Sequence, residues 1–391
     1  MTKLNHVSFL EGYEADGGDK PRRSLLLRHV CLIACFSISL CGAIRLHAAD
    51  DDARPGSATL PQAQVAVISE AGELLRSSLT APDAAARSRV IGKARTLLEQ
   101  FLAENPTHPD APLVEMQLGV ALTTEAKGLA GDATANPDEP EREKLLTKAR
   151  ETFLAAEGYF ATAVDQLKTR YVGFPKANYD EALRRRSERL RGDLIQALMY
   201  QAGVREELAG TYPAASSEAQ ENYKAAADRY EQIYKDYRTL IAGLMARLKQ
   251  GQCYKALGDT RRALGLYNDL LTQPDDLAAL RRLRVAAMYL SLECWTSEQE
   301  HLYELAFSQG EEYLTQVRPE ERSWPEWHAV RYFTARGYLL AAAGLKPAER
   351  TTEREEWLKL AAEHADRLSA TPNPYQGAAI ELSAEVAKRQ P

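Results

Sequence analysis

The stretch EHLYE sets His301 three residues before Glu304. On a helix that spacing puts an imidazole and a carboxylate on one face, where they could hold a cation. A tetrahedral metal centre needs three or four ligands and one turn supplies two, so the pair reads as a solvated helix face. ALRRRSERLR gathers Arg184, Arg185, Arg186, Arg189 and Arg191, and ALRRLR adds Arg281, Arg282 and Arg284. Such runs meet phosphate or an acidic partner, or they form an exposed face neutralised at helical spacing by Glu181 and Glu188. RSWPEWHAV puts Trp324, Trp327 and His328 at the start of a helix, where the indoles either anchor a partner or close a seam between helices. In YVGFPKANYD, Tyr171, Phe174 and Tyr179 have no helical period to bury them, which makes them a candidate exposed patch. The sequence contains no nucleophile elbow, no phosphate-cradling loop with Lys and Ser/Thr, no His-Glu-x-x-His and no Cys-x-x-Cys. We therefore expect no catalytic centre, no metal and no cofactor.

The elements that would position these residues are helices. Ala and Leu are abundant and β-branched runs are scarce in the 391 residues, and straight-chain side chains lose little rotamer freedom in a helix. The segment KPRRSLLLRHVCLIACFSISLCGAIRLHAAD runs from positive through apolar to small residues, the order of a secretory signal with cleavage after Ala48 or Ala49. Its uncharged run, His29 to Ile44, is shorter than the roughly 20 residues a spanning helix needs. An uncleaved anchor and lipidation at Cys35 remain the alternatives, and in the first of these the segment would be the chain's only membrane contact. The expected organisation is a leader and signal over 1–49, a flexible linker over 50–62 and a helical domain over 63–391. The net charge of −6 favours solubility and argues against nucleic acid as a partner. Beyond residue 49 only Cys253 and Cys294 remain, both in apolar helical patterns, and they are expected to be buried free thiols.

Self-similarity appears along the helical part. Its clearest unit, 244–274, carries Gly251, Tyr254, Gly258, Ala263, Tyr267, Leu270 and Pro274. Partial copies recur at Ala94, Leu98, Phe101 and Pro106, at Ala226, Tyr230, Ile233 and Tyr237, at Phe333, Gly337, Leu340 and Gly344, and at Ala361, Ala365 and Leu368. On these residues the chain resembles the tetratricopeptide repeat family. With LRGDLIQALMYQA and LKQGQCYKALGDTRRAL it resembles in particular the exported members from planctomycete-type bacteria. Arg247 and Gln250 stand where the family prefers an aromatic and a leucine, and the terminal proline comes one position early. Patterns near 143–170 and 183–208 predict two helices longer than the family's own. AGDATANPDEPERE and LKPAERTTEREE read as surface connections, and a final helix over 375–388 reads as a cap.

The resemblance implies an all-α, right-handed superhelical solenoid of antiparallel helix pairs. In the 244–274 unit, Gly251 and Ala263 would allow close helix crossing, Gly258 would take the turn, and Tyr254 and Tyr267 would fill the space between helices. A groove lined by Met245, Leu248, Gln252, Lys255 and Ala256 is likewise carried over from the family. The implied function is a non-enzymatic scaffold of the periplasm or cell envelope that binds a protein or peptide. Two alternatives stand beside it: a helical toroid around a glycan-processing pair of carboxylates, and a permanent subunit of an envelope or secretion assembly.

Overall fold

The computed structural model describes residues 62–390 apart from 79, 82, 176–179 and 346–350. The chain divides into two units, 1–51 and 52–391, and only the second falls within this range. The expected signal segment, nearly all of the linker, and Tyr179 lie outside the described residues.

Among the described residues there are thirteen α-helices and no strand. In chain order they are α1 (Gln62–Ser78), α2 (Ala84–Glu104), α3 (Ala111–Ala135), α4 (Glu139–Val172), α5 (Glu181–Ala209), α6 (Ser217–Tyr237) and α7 (Ile241–Ala256). They continue as α8 (Thr260–Leu271), α9 (Ala278–Trp295), α10 (Tyr303–Leu314), α11 (Pro325–Gly344), α12 (Thr351–Ser369) and α13 (Gln376–Ala387), with a 3₁₀ turn at Pro319–Glu321. Boundaries follow local chemistry. The side chains of Asp83, Asp180, Ser216 and Asp259 each accept a hydrogen bond from a backbone N–H in the first turn of the next helix. Gly258, at φ +79°, ends α7: its N–H bonds to the Lys255 carbonyl while the Asp259 N–H bonds to the Tyr254 carbonyl. This left-handed closure suits glycine. It leaves no linker, because Asp259 caps α8 at once.

One expected loop is mostly helix, and another is helix in its second half. AGDATANPDEPERE contributes only residues 136–138 to the connection, because its alanines extend α3 and Pro140 fits the first turn of α4, where no N–H partner is needed. The TTEREE half of the other segment opens α12. The His301–Glu304 pair is also revised. His301 lies before α10 with φ +50°, its Nδ1 2.6 Å from the Tyr303 hydroxyl, so the two residues do not share a helical face.

Each helix packs on the next, and a second rule is superimposed on the first. Every odd-numbered helix also touches the next odd-numbered one, from α1 to α13, whereas no two even-numbered helices come as close. From α7 to α11 burial follows the same division. The odd helix α11 buries thirteen of its twenty residues, and the even helix α10 buries three of its twelve. Even helices are one-sided: α2 buries Ile91, Ala94, Leu98 and Phe101, at steps of three and four. The described part is thus a row of helix pairs in two layers, in which the odd helices touch from pair to pair and the even helices do not.

Close approach within pairs depends on small residues. A Cβ at Gly119 would stand 2.5 Å from the Phe160 ring of α4, and one at Gly251 would fall on the Tyr267 ring of α8. Ala226, Ala263, Ala361 and Ala365 are all fully buried. Cys253 and Cys294 are buried free thiols, as expected. Burial pushes the Cys253 thiol well up, with the Glu206 charge adding to it, and lifts Cys294 to about 12, so neither is a nucleophile near neutral pH.

Candidate functional site

Two sides of each odd helix from α3 to α11 are occupied by its even neighbours, and the third side is what remains for a ligand. In α3, Gly119, Leu122 and Ala126 face α4, while Glu125 faces Arg95 of α2. The 3.6-residue period then leaves Gln117, Val120, Thr124 and Lys127 on the third side. In α5, Val204 and Leu208 pack on α4, and Gly203 lies against Tyr230 of α6, which leaves Asp193, Gln196 and Glu207. In α7, Gly251 meets Tyr267 of α8 and Gly243 meets the end of α6, leaving Met245, Lys249, Gln252 and Ala256. By the same period, α9 contributes Arg282, Tyr289 and Glu293.

Ion pairs join this face across four successive junctions of odd helices. They are Lys127–Glu207 at 2.6 Å, Lys249–Glu206 at 3.2 Å, Lys255–Glu293 at 2.6 Å and Arg282–Glu326 at 2.8 Å. Burial works against the Lys249 ammonium, yet Glu206 and Glu207 hold its pKa above the ordinary lysine value. The Tyr230 hydroxyl donates to Glu206 Oε2 at 3.0 Å, and burial pushes its own pKa well up, with Glu206 adding to the rise. Charges on the face are therefore largely neutralised from within. The side-chain carbonyls of Gln117 and Gln252 are different, because both are buried and accept no hydrogen bond from the described residues.

Asp193 is the titratable group of this face. Burial lifts its carboxyl to about 6, Arg189 pulls it back and Asp110 adds to the rise. An unfolded aspartate titrates near 3.9, so between about pH 4 and 6 the folded chain keeps a proton that the unfolded chain has lost. Stability from this residue falls as pH rises through that window. Asp193→Asn is expected to raise Tm by about 2–4 °C at pH 7.5. At pH 4 it should leave Tm unchanged, and thermal unfolding followed by circular dichroism at both pH values checks this.

The structure separates the groove residues expected from the resemblance. Met245 is half-buried on the third side, and Gln252 is 8% exposed beside it. Leu248 is 2% exposed and belongs to the core, while Lys255 is paired with Glu293. Of the packing residues, Tyr254, Ala263 and Tyr267 are buried, and the Arg262 guanidinium lies 4.1 Å over the Tyr254 ring. Tyr171 packs against the cluster that contains Met116, Leu167 and Leu194 at the α4–α5 end, and Phe174 is half-buried. Trp327 is buried against Tyr313 of α10 and serves the seam. Arg184 and Arg185 share Glu181, in line with the expected pairing.

Sequence reading missed Lys127, Gln117, Asp193, Glu206 and Glu207. The available signal was a polar residue inside an apolar helical context, such as Asp193 in RGDLIQAL and Lys249 between Leu248 and Gln250. Among the described residues no three His, Cys, Asp or Glu side chains gather as a metal site would require. No known protein family matches the chain, and no curated protein shows significant similarity to it.

Proposed function

We propose that the chain is a non-enzymatic scaffold: a right-handed superhelical solenoid of the tetratricopeptide type, exported to the cell envelope, whose odd-helix face holds a protein or peptide. The observation that carries this reading is the inequality of the two layers. Rods that touch along one layer and stand apart in the other must fan, and the closer layer then lines a concave surface. An extended peptide on that surface would lie along Thr124, Met245 and Ala256, side chains that the even helices leave uncovered. Internal ion pairing on the same face leaves shape and hydrogen bonding, rather than net charge, to select the ligand.

Affinity capture from envelope extracts tests the reading. The wild-type chain is expected to retain a protein that Thr124→Arg/Ala256→Arg, which fills the face with bulk and charge, retains at least about tenfold less. Capture unaffected by that variant contradicts the proposal.

A further inference from the structure

The two longest helices, α4 with 34 residues and α5 with 29, form a hairpin whose end has no core of its own. Leu167 on one arm and Leu194 on the other are buried, but none of the described residues from 168 to 193 is. Within that span seven Lys/Arg stand against four Asp/Glu among the described residues, in a chain whose net charge is −6. Arg184, Arg185, Arg186 and Arg189 are all exposed, and among the described residues the only acid paired with any of them within ion-pair distance is Glu181. At the tip, Val172 is 64% exposed, the highest value among the exposed large apolar residues, with Phe174 half-buried two positions on. Ordinary solvated helix ends do not combine an apolar point with a one-sided arginine collar.

We propose that this hairpin tip is a docking element for an anionic lipid surface, with Val172 and Phe174 entering the interface and Arg184, Arg185, Arg186 and Arg189 meeting lipid phosphates. Guanidinium groups bind phosphate oxygens through paired N–H donors, and each basic side chain near an anionic bilayer adds to its attraction. Aromatic and aliphatic side chains at the level of the headgroups add a shallow apolar contribution. The exposed apolar side chain beside the arginines selects this partner over an acidic polypeptide. Carboxylates would satisfy the guanidinium groups but give Val172 nothing, whereas an anionic bilayer interface offers phosphates and an apolar layer together. The inference does not rest on the peptide-binding reading, because none of the side chains that would meet the bilayer lies on the odd-helix face.

The test is sedimentation of the full chain with vesicles of phosphatidylcholine, alone or with about 30% phosphatidylglycerol. Any contribution of residues 1–61, including that of Lys20, Arg22, Arg23 and Arg28 on anionic vesicles, is common to every variant, so the share of the tip is the difference between the wild type and the arginine variant. The wild type is expected to bind anionic vesicles at least about tenfold more tightly than neutral ones, and to lose the preference in about 0.5 M salt. Arg184→Glu/Arg185→Glu/Arg186→Glu/Arg189→Glu is expected to lower the preference about fivefold or more. Val172→Asp is expected to weaken anionic binding about threefold or more while keeping its salt dependence. Both variants should keep the wild-type far-UV spectrum and Tm, since every altered side chain is exposed. Equal binding to the two vesicle types by the wild type overturns the proposal. So does an undiminished anionic preference in the arginine variant, or capture of a poly-glutamate peptide by a tip that ignores vesicles.

Discussion

Gly251→Val is expected to destabilise the chain by about 3 kcal/mol, and Gly251→Ala by about 1–2 kcal/mol. Two effects compete at this position. Replacing a mid-helix glycine by alanine gains up to about 1 kcal/mol of helix propensity. The new Cβ, however, lands on the Tyr267 ring, which is 0% exposed and has no room to swing aside. Overpacking of this kind costs about 1–3 kcal/mol, and the β-branched side chain adds more atoms while giving up most of the propensity gain. Steric cost therefore exceeds propensity. The internal control is Gly265, in the partner helix α8, where an added Cβ meets nothing within 4 Å. Gly265→Ala is expected to stabilise by about 0.5–1 kcal/mol. Urea unfolding of the three variants should thus give shifts of opposite sign from glycines in one helix pair. A stabilised Gly251→Ala would mean that α7 and α8 do not cross as closely as described.

Glu321→Ala is expected to cost about 3 kcal/mol through a different mechanism. The carboxylate of Glu321 and the guanidinium of Arg281 form a bidentate pair, with Arg281 Nη2 2.9 Å from Glu321 Oε2, and the two residues are 2% and 5% exposed. The pair ties the first turn of α9 to the 3₁₀ turn before α11, and so it spans the α10 hairpin. Removing one member of a buried pair leaves an uncompensated charge, which costs about 3–5 kcal/mol. Asp275, 3.1 Å from Arg281 Nη1, retains part of the compensation and places the expectation at the lower end. Replacing both partners by apolar groups, as in Arg281→Met/Glu321→Leu, removes the unpaired charge as well as the pair and is expected to cost less than about 1 kcal/mol. Comparing Tm for the single and double variants checks both values. A single variant no worse than the double would show that Arg281 finds solvent when Glu321 is gone.

Sequence pattern made the helices of 244–274 and the long α4 and α5 legible, because their periodicity, caps and small residues all pointed the same way. Gly258 was readable as a turn because only a residue without Cβ takes its φ cheaply. The segment 130–143 was misread, because its proline and acidic residues resemble a loop and yet suit a helix N-terminus equally well. The odd-helix face was legible at Met245 and Gln252 through the repeat register. It was not legible at Lys127, Glu206 and Glu207, whose partners lie one or two helices away, since pairing across helices leaves no local spacing to read. His301 shows the reverse case: spacing alone suggested a shared face, and a left-handed backbone removed it.

The account depends most on the odd layer being the closer one, since concavity, ligand face and scaffold reading all follow from it. Pulsed dipolar spectroscopy on two pairs of spin labels tests this directly. Thr124 of α3 and Ala256 of α7 are both five residues past the glycine that meets the partner ring, Gly119 and Gly251. Leu154 of α4 and Arg261 of α8 are both six residues before those rings, Phe160 and Tyr267. Each pair therefore spans the same two repeats at matched height, one along the odd layer and the other along the even layer. The account predicts a distinctly shorter mean distance for 124–256 than for 154–261. Equal distances, or a shorter one along the even helices, would contradict it.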